Sequence, residues 1–467
     1  MNSKSSIKTV RLSTVLGGDI RLEASTYLRE GYGFVRLANQ CPEHVRLGDL
    51  AEIWQPSRLT GYTVPEGKGL PFLTAGQVFE DFPRVRKWLA KPFIPHVESR
   101  YVDSDWLLLS CSGVVGKVTA VYPHHLGKVI THDLLRVVPK SQDDYGWLYA
   151  YMKTGFFRQI AQAAQYGHMI KHIEVGHAAE FPVIMPEDDV RTHIGKMAVD
   201  AVQLRSQAWK LRDEAFQKLE ECVGVRTGCP SISPRKTPNE VRLSSVLQNR
   251  QRLDAPSYIG EIRNVDELID GLNWGCLGEL TDKIIVPKRF KHYYGNSNVP
   301  FVGISELYDV NAQPTKYIYP DFISNSEELM LEPGTLVLAC SGQKYGILGR
   351  ALMITENYRG IMGSNHLMRI YPNEDKLRAG YLLAFLNDPV IGRPSVVRYA
   401  FGTSVPELDP NDIKRVRIPL LEKAVENSIA DIMEKSVSLS AKADVLEKNA
   451  IRLAQEQVEK LLASVSQ

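Results

Sequence analysis

Eleven histidines are the first place to look for chemistry, and six of them fall into two groups. His124, His125 and His132 form one; His168, His172 and His177 form the other. A histidine pair four residues apart on a helix can hold zinc, with an acidic residue between them acting on the bound water. His168 and His172 have that spacing, but His168 follows Gly167 in a turn pattern and only Met169, Ile170 and Lys171 lie between. The six cysteines, Cys41, Cys111, Cys222, Cys229, Cys276 and Cys340, are scattered without a CxxC pair. Neither a metal site nor a disulfide framework follows from such spacings. No GxxxxGK[ST] phosphate loop occurs, and Asn387-Asp388-Pro389-Val390 reads as a turn ending a helix. No acidic or nucleophilic constellation recurs along the chain, so catalysis, a nuclease activity included, is disfavoured.

What remains is recognition by polar side chains on loops. Arg or Lys pairs with guanine and Asn or Gln with adenine through bidentate contacts, each worth roughly 1–3 kcal/mol. In the first half of the chain the candidates are Gln55, Ser57, Arg58, Gln77, His168 and Lys171. In the second they are Lys288, Arg289, Lys291, Ser305, Glu306, Gln343, Lys344, Thr403 and Ser404. Lys288, Arg289 and Lys291 stand beside Tyr293 and Tyr294, a basic cluster with aromatics that suits phosphate contacts. Arg84, Arg86 and Lys87 with Trp88 form a matching cluster in the first half. A solvated turn has a similar composition, and that is the competing reading for each residue.

Such loops need a scaffold, and its most legible parts are two long amphipathic segments. Met197, Ala201, Leu204, Ala208, Leu211 and Ala215 recur at alternating steps of four and three. Val425, Ile429, Ile432, Ser436, Leu439, Ala443, Leu446, Ala450 and Leu453 do the same near the end of the chain, with no Pro or Gly between Glu422 and Gln467. So narrow a stripe is a coiled-coil seam. Small residues at one seam position let two backbones approach closely. The residues expected to pair are Ala201, Leu204, Ala208, Leu211 and Ala215 with Leu439, Ala443, Leu446, Ala450 and Leu453. The alternative is two ordinary helices, each packed on its own domain.

The rest of the chain repeats. RLSTVLGGDIRLEASTY at Arg11–Tyr27 is echoed by RLSSVLQNRQRLDAPSY at Arg242–Tyr258. Leu47-Gly48-Asp49-Leu50 then matches Leu277-Gly278-Glu279-Leu280, SCSGVVGKV matches ACSGQKYGILGRA, and THDLLRVVP matches SNHLMRIYP, in the same order. AQYGHMIKHI near Tyr166 matches RYAFGTSVPEL near Phe401. Short runs such as WLLLSCS, KVTAVY, LLRVV and FPVIMP read as strands, and Tyr145–Gln165 reads as helical. The fold class is therefore α+β: a tandem duplication of a mixed unit, each copy followed by a long helix, the two helices pairing as an antiparallel coiled coil. The expected divisions are 1–186, helix 187–223, linker 224–240, 241–421 and helix 422–467.

Length and composition allow this. The 467 residues suffice for two or three cored domains, and 44% hydrophobic with 24% charged residues is ordinary for a soluble chain. No apolar run reaches the roughly 18 residues of a membrane span, and a reducing cytoplasm is the expected location. A net charge of +2 neither supports nor excludes a nucleic-acid partner.

Taken together, the pattern resembles the specificity subunit of type I restriction-modification systems, over essentially the whole chain. RLDAPSY and its counterpart RLEASTY resemble the opening of that family's target-recognition domains. Gln55-Pro56-Ser57-Arg58, the Cys-Ser-Gly turns at Cys111 and Cys340, and Phe401-Gly402-Thr403-Ser404 running on to Arg417-Ile418-Pro419-Leu420 are similar to its internal motifs. The helix starts at Met185-Pro186-Glu187-Asp188 and Pro419-Leu420-Leu421-Glu422 depart from it in lacking a Gln. The resemblance implies a non-catalytic DNA-binding protein with no cofactor of its own. It implies double-stranded DNA, two methyltransferase subunits and, through them, endonuclease/translocase subunits as partners, with S-adenosylmethionine, Mg and ATP confined to those subunits. Each recognition domain would read one half of a bipartite asymmetric site. The same architecture serving another methylation or phage-defence complex, or a protein–protein scaffold, are the other readings.

Overall fold

The runs LLLS and LLRVVP are apolar without alternation, the pattern of strands covered on both faces. In the computed structural model they sit side by side at the centre of a sheet. The structure describes Tyr27 and residues 29–167, 169–225, 243–248, 260–295 and 298–465. Most of the two repeated openings, the linker from Arg226 and His168 lie outside these residues. The chain divides into two units, Met1–Ser206 with Lys442–Gln467, and Gln207–Ala441.

Among the described residues the strands of the first unit are β1 (His44–Arg46), β2 (Ala51–Trp54), β3 (Thr63–Val64), β4 (Leu70–Leu73), β5 (Lys87–Leu89), β6 (Leu107–Ser110), β7 (Val118–Ala120), β8 (Val129–Ile130), β9 (Leu134–Pro139) and β10 (Pro182–Ile184). One sheet has the order β2-β9-β6-β7, all antiparallel. A smaller sheet runs β3-β5-β4-β8, with β4 and β8 parallel, and β1 pairs with β10. Helix α1 (Glu30–Ala38) precedes the strands. The stretch predicted to be helical over Tyr145–Gln165 is two helices, α2 (Gln142–Met152) and α3 (Gly155–Ala164). Thr154 divides them because its hydroxyl accepts from the Phe157 amide and starts a new helix there.

Against these packs the first part of α4 (Asp188–Cys222). The approach is close: a Cβ on Gly146 of α2 would lie 2.2 Å from the Gly195 carbonyl oxygen. Only a residue without a side chain fits there. Trp147 then donates its indole N–H to the Ile184 carbonyl of β10 at 3.2 Å.

The second unit has the same strand plan. Its strands are β11 (Trp274–Cys276), β12 (Thr281–Ile285), β13 (Tyr294–Gly295), β14 (Val299–Val302), β15 (Lys316–Ile318), β16 (Leu336–Ala339), β17 (Ala351–Met353), β18 (Met362–Gly363), β19 (Leu367–Pro372) and β20 (Arg417–Pro419). They form the sheets β12-β19-β16-β17 and β13-β15-β14-β18 and the pair β11-β20. Helices α5 (Ala379–Asn387) and α6 (Gly392–Val397) precede the last strand, and α7 (Lys423–Val465) follows it. Gly380 of α5 repeats the close approach, with its Cβ position 2.6 Å from the Ala430 carbonyl oxygen of α7. Tyr381 donates to the Pro419 carbonyl at 2.8 Å, as Trp147 does in the first unit.

In each unit a fully buried arginine links the larger sheet to the smaller. Arg136 of β9 donates to the carbonyls of Thr131 at 2.9 Å and Ile130 at 3.1 Å, and Arg369 of β19 to those of Ser364 at 2.9 Å and Gly363 at 3.2 Å. Burial pushes both guanidinium groups down to about 10, which leaves them charged at neutral pH. The carbonyl oxygens satisfy that charge, as a buried cation requires.

The long helices bury Ala201, Ala208 and Ala215 on α4 and Ser436, Ala443 and Ala450 on α7. The leucines expected beside them, Leu204, Leu211, Leu439, Leu446 and Leu453, are only half-buried. The second buried position lies one residue further along, at Arg205 and Leu219 on α4 and at Glu447 and Ala454 on α7. At Arg205 and Glu447 burial turns on charge. In the first unit Arg205 pairs with Asp444 at 2.5 Å and Glu447 at 2.9 Å, and donates to the Tyr122 hydroxyl at 3.0 Å. Tyr149 donates to Glu447 at 2.5 Å, and Lys153 pairs with the same carboxylate. In the second unit Ser436 donates to the Ala208 carbonyl and Lys218 to the Ser428 hydroxyl, both at 2.6 Å. Within the second unit, residue numbers thus rise on one segment as they fall on the other.

Candidate nucleic-acid interface

In each unit three separate segments are stitched together at the end of β6 or β16. In the first, the turn after β6 meets the hairpin Tyr166–His172. Tyr166 and His172 exchange both main-chain bonds at 2.9 Å, Ser112 bridges to His172, and Gly113 donates to the Lys171 carbonyl at 3.0 Å. The hairpin requires Gly167, whose φ is +96° and whose Cβ position lies 2.4 Å from the Ile170 oxygen. The third segment follows β2. Gln55 donates to the His132 carbonyl at 2.7 Å, and the Leu59 amide donates to the His132 ring at 3.4 Å.

The second unit repeats this stitching with other side chains. Phe401 and Glu407 exchange main-chain bonds at 3.0 and 2.8 Å, Ser341 bridges to Glu407, and Gly342 donates to the Pro406 carbonyl at 3.0 Å. Gln343 donates to the Ser404 carbonyl at 3.1 Å. Arg289, from the segment after β12, pairs with Glu407 at 2.9 Å. Arg393 fixes the turn from behind by donating to the carbonyls of Gly346 at 2.7 Å and Lys344 at 3.2 Å.

Gln55 and Lys171 thus fall in the first cluster, and Arg289, Gln343 and Ser404 in the second, with Lys344 and Thr403 on its turns. Ser57 and Arg58 are exposed just after Gln55, and Ser57 is held by two bonds from the buried Arg100, at 3.0 and 3.1 Å. Lys288 and Lys291 are exposed beside Arg289, with the Lys291 ammonium 5.4 Å above the Tyr293 ring. Lys87 is exposed at the start of β5, whereas Arg86 is paired with Glu80 at 2.5 Å. Arg84 is half-buried and accepts on its carbonyl from Gln77.

Gln77 and Glu306 depart from the loop reading. Gln77 is buried, and its carbonyl oxygen accepts from the Thr74 amide at 3.2 Å and hydroxyl at 3.0 Å. It caps the short helix Ala75–Val78. Glu306 caps the equivalent turn Ile304–Leu307 by accepting from the Gly303 amide at 2.9 Å, and it pairs with Lys316 at 3.6 Å. Ser305 beside it is exposed. A Thr followed three residues later by Gln, as at Thr74 and Gln77, is the sequence signature of such a cap.

Burial pushes the Cys111 and Cys340 thiols up to about 12, with Asp133 and Glu407 adding to the effect, so neither is a thiolate at neutral pH. Burial lowers His132 against the pull of Asp133 and takes the buried His125 down to about 3. Among the described residues no three of His, Cys, Asp and Glu gather where they could hold a metal ion, and no helix is long and apolar enough to cross a membrane.

Polarity alone missed the apolar tips. Met169 is 98% exposed and Tyr345 84%, with Ile170, Val114, Phe401 and Val405 also exposed around the two clusters. Large apolar residues in a turn pattern were the available signal.

No protein-family model matches the chain, and no curated protein does. Among solved structures it is similar to the type I restriction-modification S subunit from M. genitalium, at 13% identity over 90% of this chain and 95% of that one, with a TM-score of 0.34. It is also similar to the HsdS subunit from Thermoanaerobacter tengcongensis, at 14% identity over 90% and 97%, with a TM-score of 0.26. A chain from a structure on complex assembly and conformational transition of the type I R-M system matches at 14% identity over 90% and 97%, with a TM-score of 0.28.

Proposed function

We propose that this chain is a non-catalytic DNA-specificity subunit in which each unit reads one half of a bipartite, asymmetric site. The observation that carries the reading is the same three-segment cluster built twice with different side chains: Gln55, Arg58 and Lys171 in one, Arg289, Gln343, Thr403 and Ser404 in the other. A constant frame holding variable polar loops is what two different half-sites require, and joining two such contacts raises affinity through effective concentration. In this reading 1–186 and 241–421 are recognition domains that arose by tandem duplication. Segments 187–223 and 422–467 pair as an antiparallel coiled coil that sets the unread gap. Two methyltransferase subunits, and endonuclease/translocase subunits through them, are the proposed partners in the cytoplasm, supplying S-adenosylmethionine, Mg and ATP chemistry that this chain does not need.

Duplex binding by the full chain at several salt concentrations tests it. DNA contact predicts affinity falling linearly on a log–log plot with salt. Salt-independent or absent binding would favour a protein–protein scaffold.

A further inference from the structure

The loops differ between the units, but one exposed feature does not. In the first unit Tyr62 and Phe93 are 68% and 56% exposed, and their rings meet edge-on with centroids 4.9 Å apart. In the second, Tyr293 and Phe322 are 40% and 67% exposed, with centroids 5.4 Å apart. The frame places the two pairs alike. Tyr62 and Tyr293 each immediately precede the edge strand of the small sheet, β3 or β13. Each accepts on its carbonyl from the residue after the neighbouring strand: Ala90 to Tyr62 at 2.9 Å, Tyr319 to Tyr293 at 3.0 Å. Phe93 and Phe322 each end a single 3-10 turn.

Packing does not account for these rings, since exposed aromatic pairs contribute little to a core. A side-chain pair kept while the neighbouring loops differ serves something common to both units, not something that distinguishes them. The surroundings are cationic. Lys87 and Lys91 are exposed near the first pair, and Lys288 and Lys291 near the second, while Asp321 adjoins Phe322 and Lys316 is engaged by Glu306. The pairs also continue the candidate interface: Arg58 lies four residues before Tyr62, and Arg289 four before Tyr293.

We propose, resting on the DNA-binding reading above, that each ring pair is a sequence-independent contact to the sugar–phosphate backbone of duplex DNA. The rings pack on deoxyribose, and the flanking lysines face phosphates. The pairs position each unit on the duplex, and the loop clusters read the bases.

The test uses the full chain in its native complex, with random-sequence duplex as the probe. Tyr62→Ala with Phe93→Ala, and separately Tyr293→Ala with Phe322→Ala, is each expected to weaken binding roughly tenfold. The slope of log affinity against log salt stays unchanged, because no phosphate contact is lost. Lys288→Ala with Lys291→Ala instead flattens that slope by about two. Motifs enriched from a random duplex pool stay the same in the ring variants. Unchanged affinity in either ring variant would overturn the proposal, as would an altered motif, which would make the rings base readers. Loss of a protein partner with DNA affinity intact would overturn it in favour of a protein contact. Absence of salt-dependent binding by the unaltered protein would instead sink the DNA reading itself.

Discussion

The two units seat their sheets on the long helices by the same backbone device and by opposite electrostatics. Gly146 and Gly380 both allow a helix of the unit to touch the long helix backbone, and Trp147 and Tyr381 both bond the carbonyl that ends the last strand. Around that shared contact the first unit buries its charges. Arg205 and Glu447 are each 1% exposed and are shared among Asp444, Lys153, Tyr122 and Tyr149. The second unit keeps its main pairs nearer the surface: Arg378, 28% exposed, pairs with Asp431 at 2.7 Å and Glu434 at 2.5 Å. Its buried carboxyl, Asp388, faces another carboxyl, Glu220. Backbone geometry is what the frame holds constant, and charge is free to vary around it.

Removing one member of the buried network tests that contrast most strongly. Arg205→Leu leaves Glu447 and Asp444 buried without one of their cationic partners and should cost roughly 3–5 kcal/mol. Denaturant unfolding followed by hydrogen exchange should place that loss in the first unit, with the second unchanged. A uniform loss would mean the network does not belong to one seat.

Alanine at the glycines tests what is shared. Gly146→Ala and Gly380→Ala each thrust a methyl group at a carbonyl oxygen and should cost about 1–3 kcal/mol by overpacking. Similar losses are expected in the two units. A cost at one alone would show that the second close approach is slack.

The pH response should differ between the seats. Burial first, and Glu220 next, hold the Asp388 carboxyl up at about 7, so the folded second unit keeps a proton that the unfolded chain releases near pH 4. Stability from this group is therefore greatest at or below pH 4 and is lost as pH rises through about 7. Asp388→Asn should add on the order of 1–3 kcal/mol at pH 8 and nothing near pH 4. Glu447 runs the other way. Despite burial, Lys153 and Arg205 hold it at about 2, so its contribution is present above the ordinary carboxyl range and is lost as pH falls towards 2. Melting curves at pH 4 and pH 8 check the sign for Asp388, and curves at about pH 2.5 and pH 5 check it for Glu447, both read unit by unit.

The smallest effect belongs to the surface pairs. Arg378→Ala should cost under about 1 kcal/mol, because water screens its partners. A larger loss would erase the contrast between the seats.

The helices and the larger sheets were legible because their residues carry strong patterns. Asp188–Cys222 shows a seam, and LLLS and LLRVVP show unbroken apolar runs. The smaller sheets were not, since strands such as Thr63–Val64 and Tyr294–Gly295 are too short to show a period. The second seam position is hidden for a physical reason: Arg205 and Glu447 occupy it, and charges that satisfy each other leave no apolar pattern. Gln77 and Glu306 are polar, which suits a reader as well as a cap; only Thr74, three residues before Gln77, is a local mark of the cap. The loop clusters were found as separate motifs; that Gln343 meets Ser404, or Arg289 meets Glu407, depends on chain distances no local pattern encodes.

In the proposed function two unlike clusters on one repeated frame read two unlike DNA half-sites. A long-read map of base modification in the source genome, with and without this gene, tests it most directly. Deletion is expected to abolish methylation at one bipartite, asymmetric motif, and exchanging the segment 401–407 to alter one half of that motif alone. A modification pattern indifferent to the gene in an actively methylating strain, or a palindromic motif whose two halves change together, would contradict it.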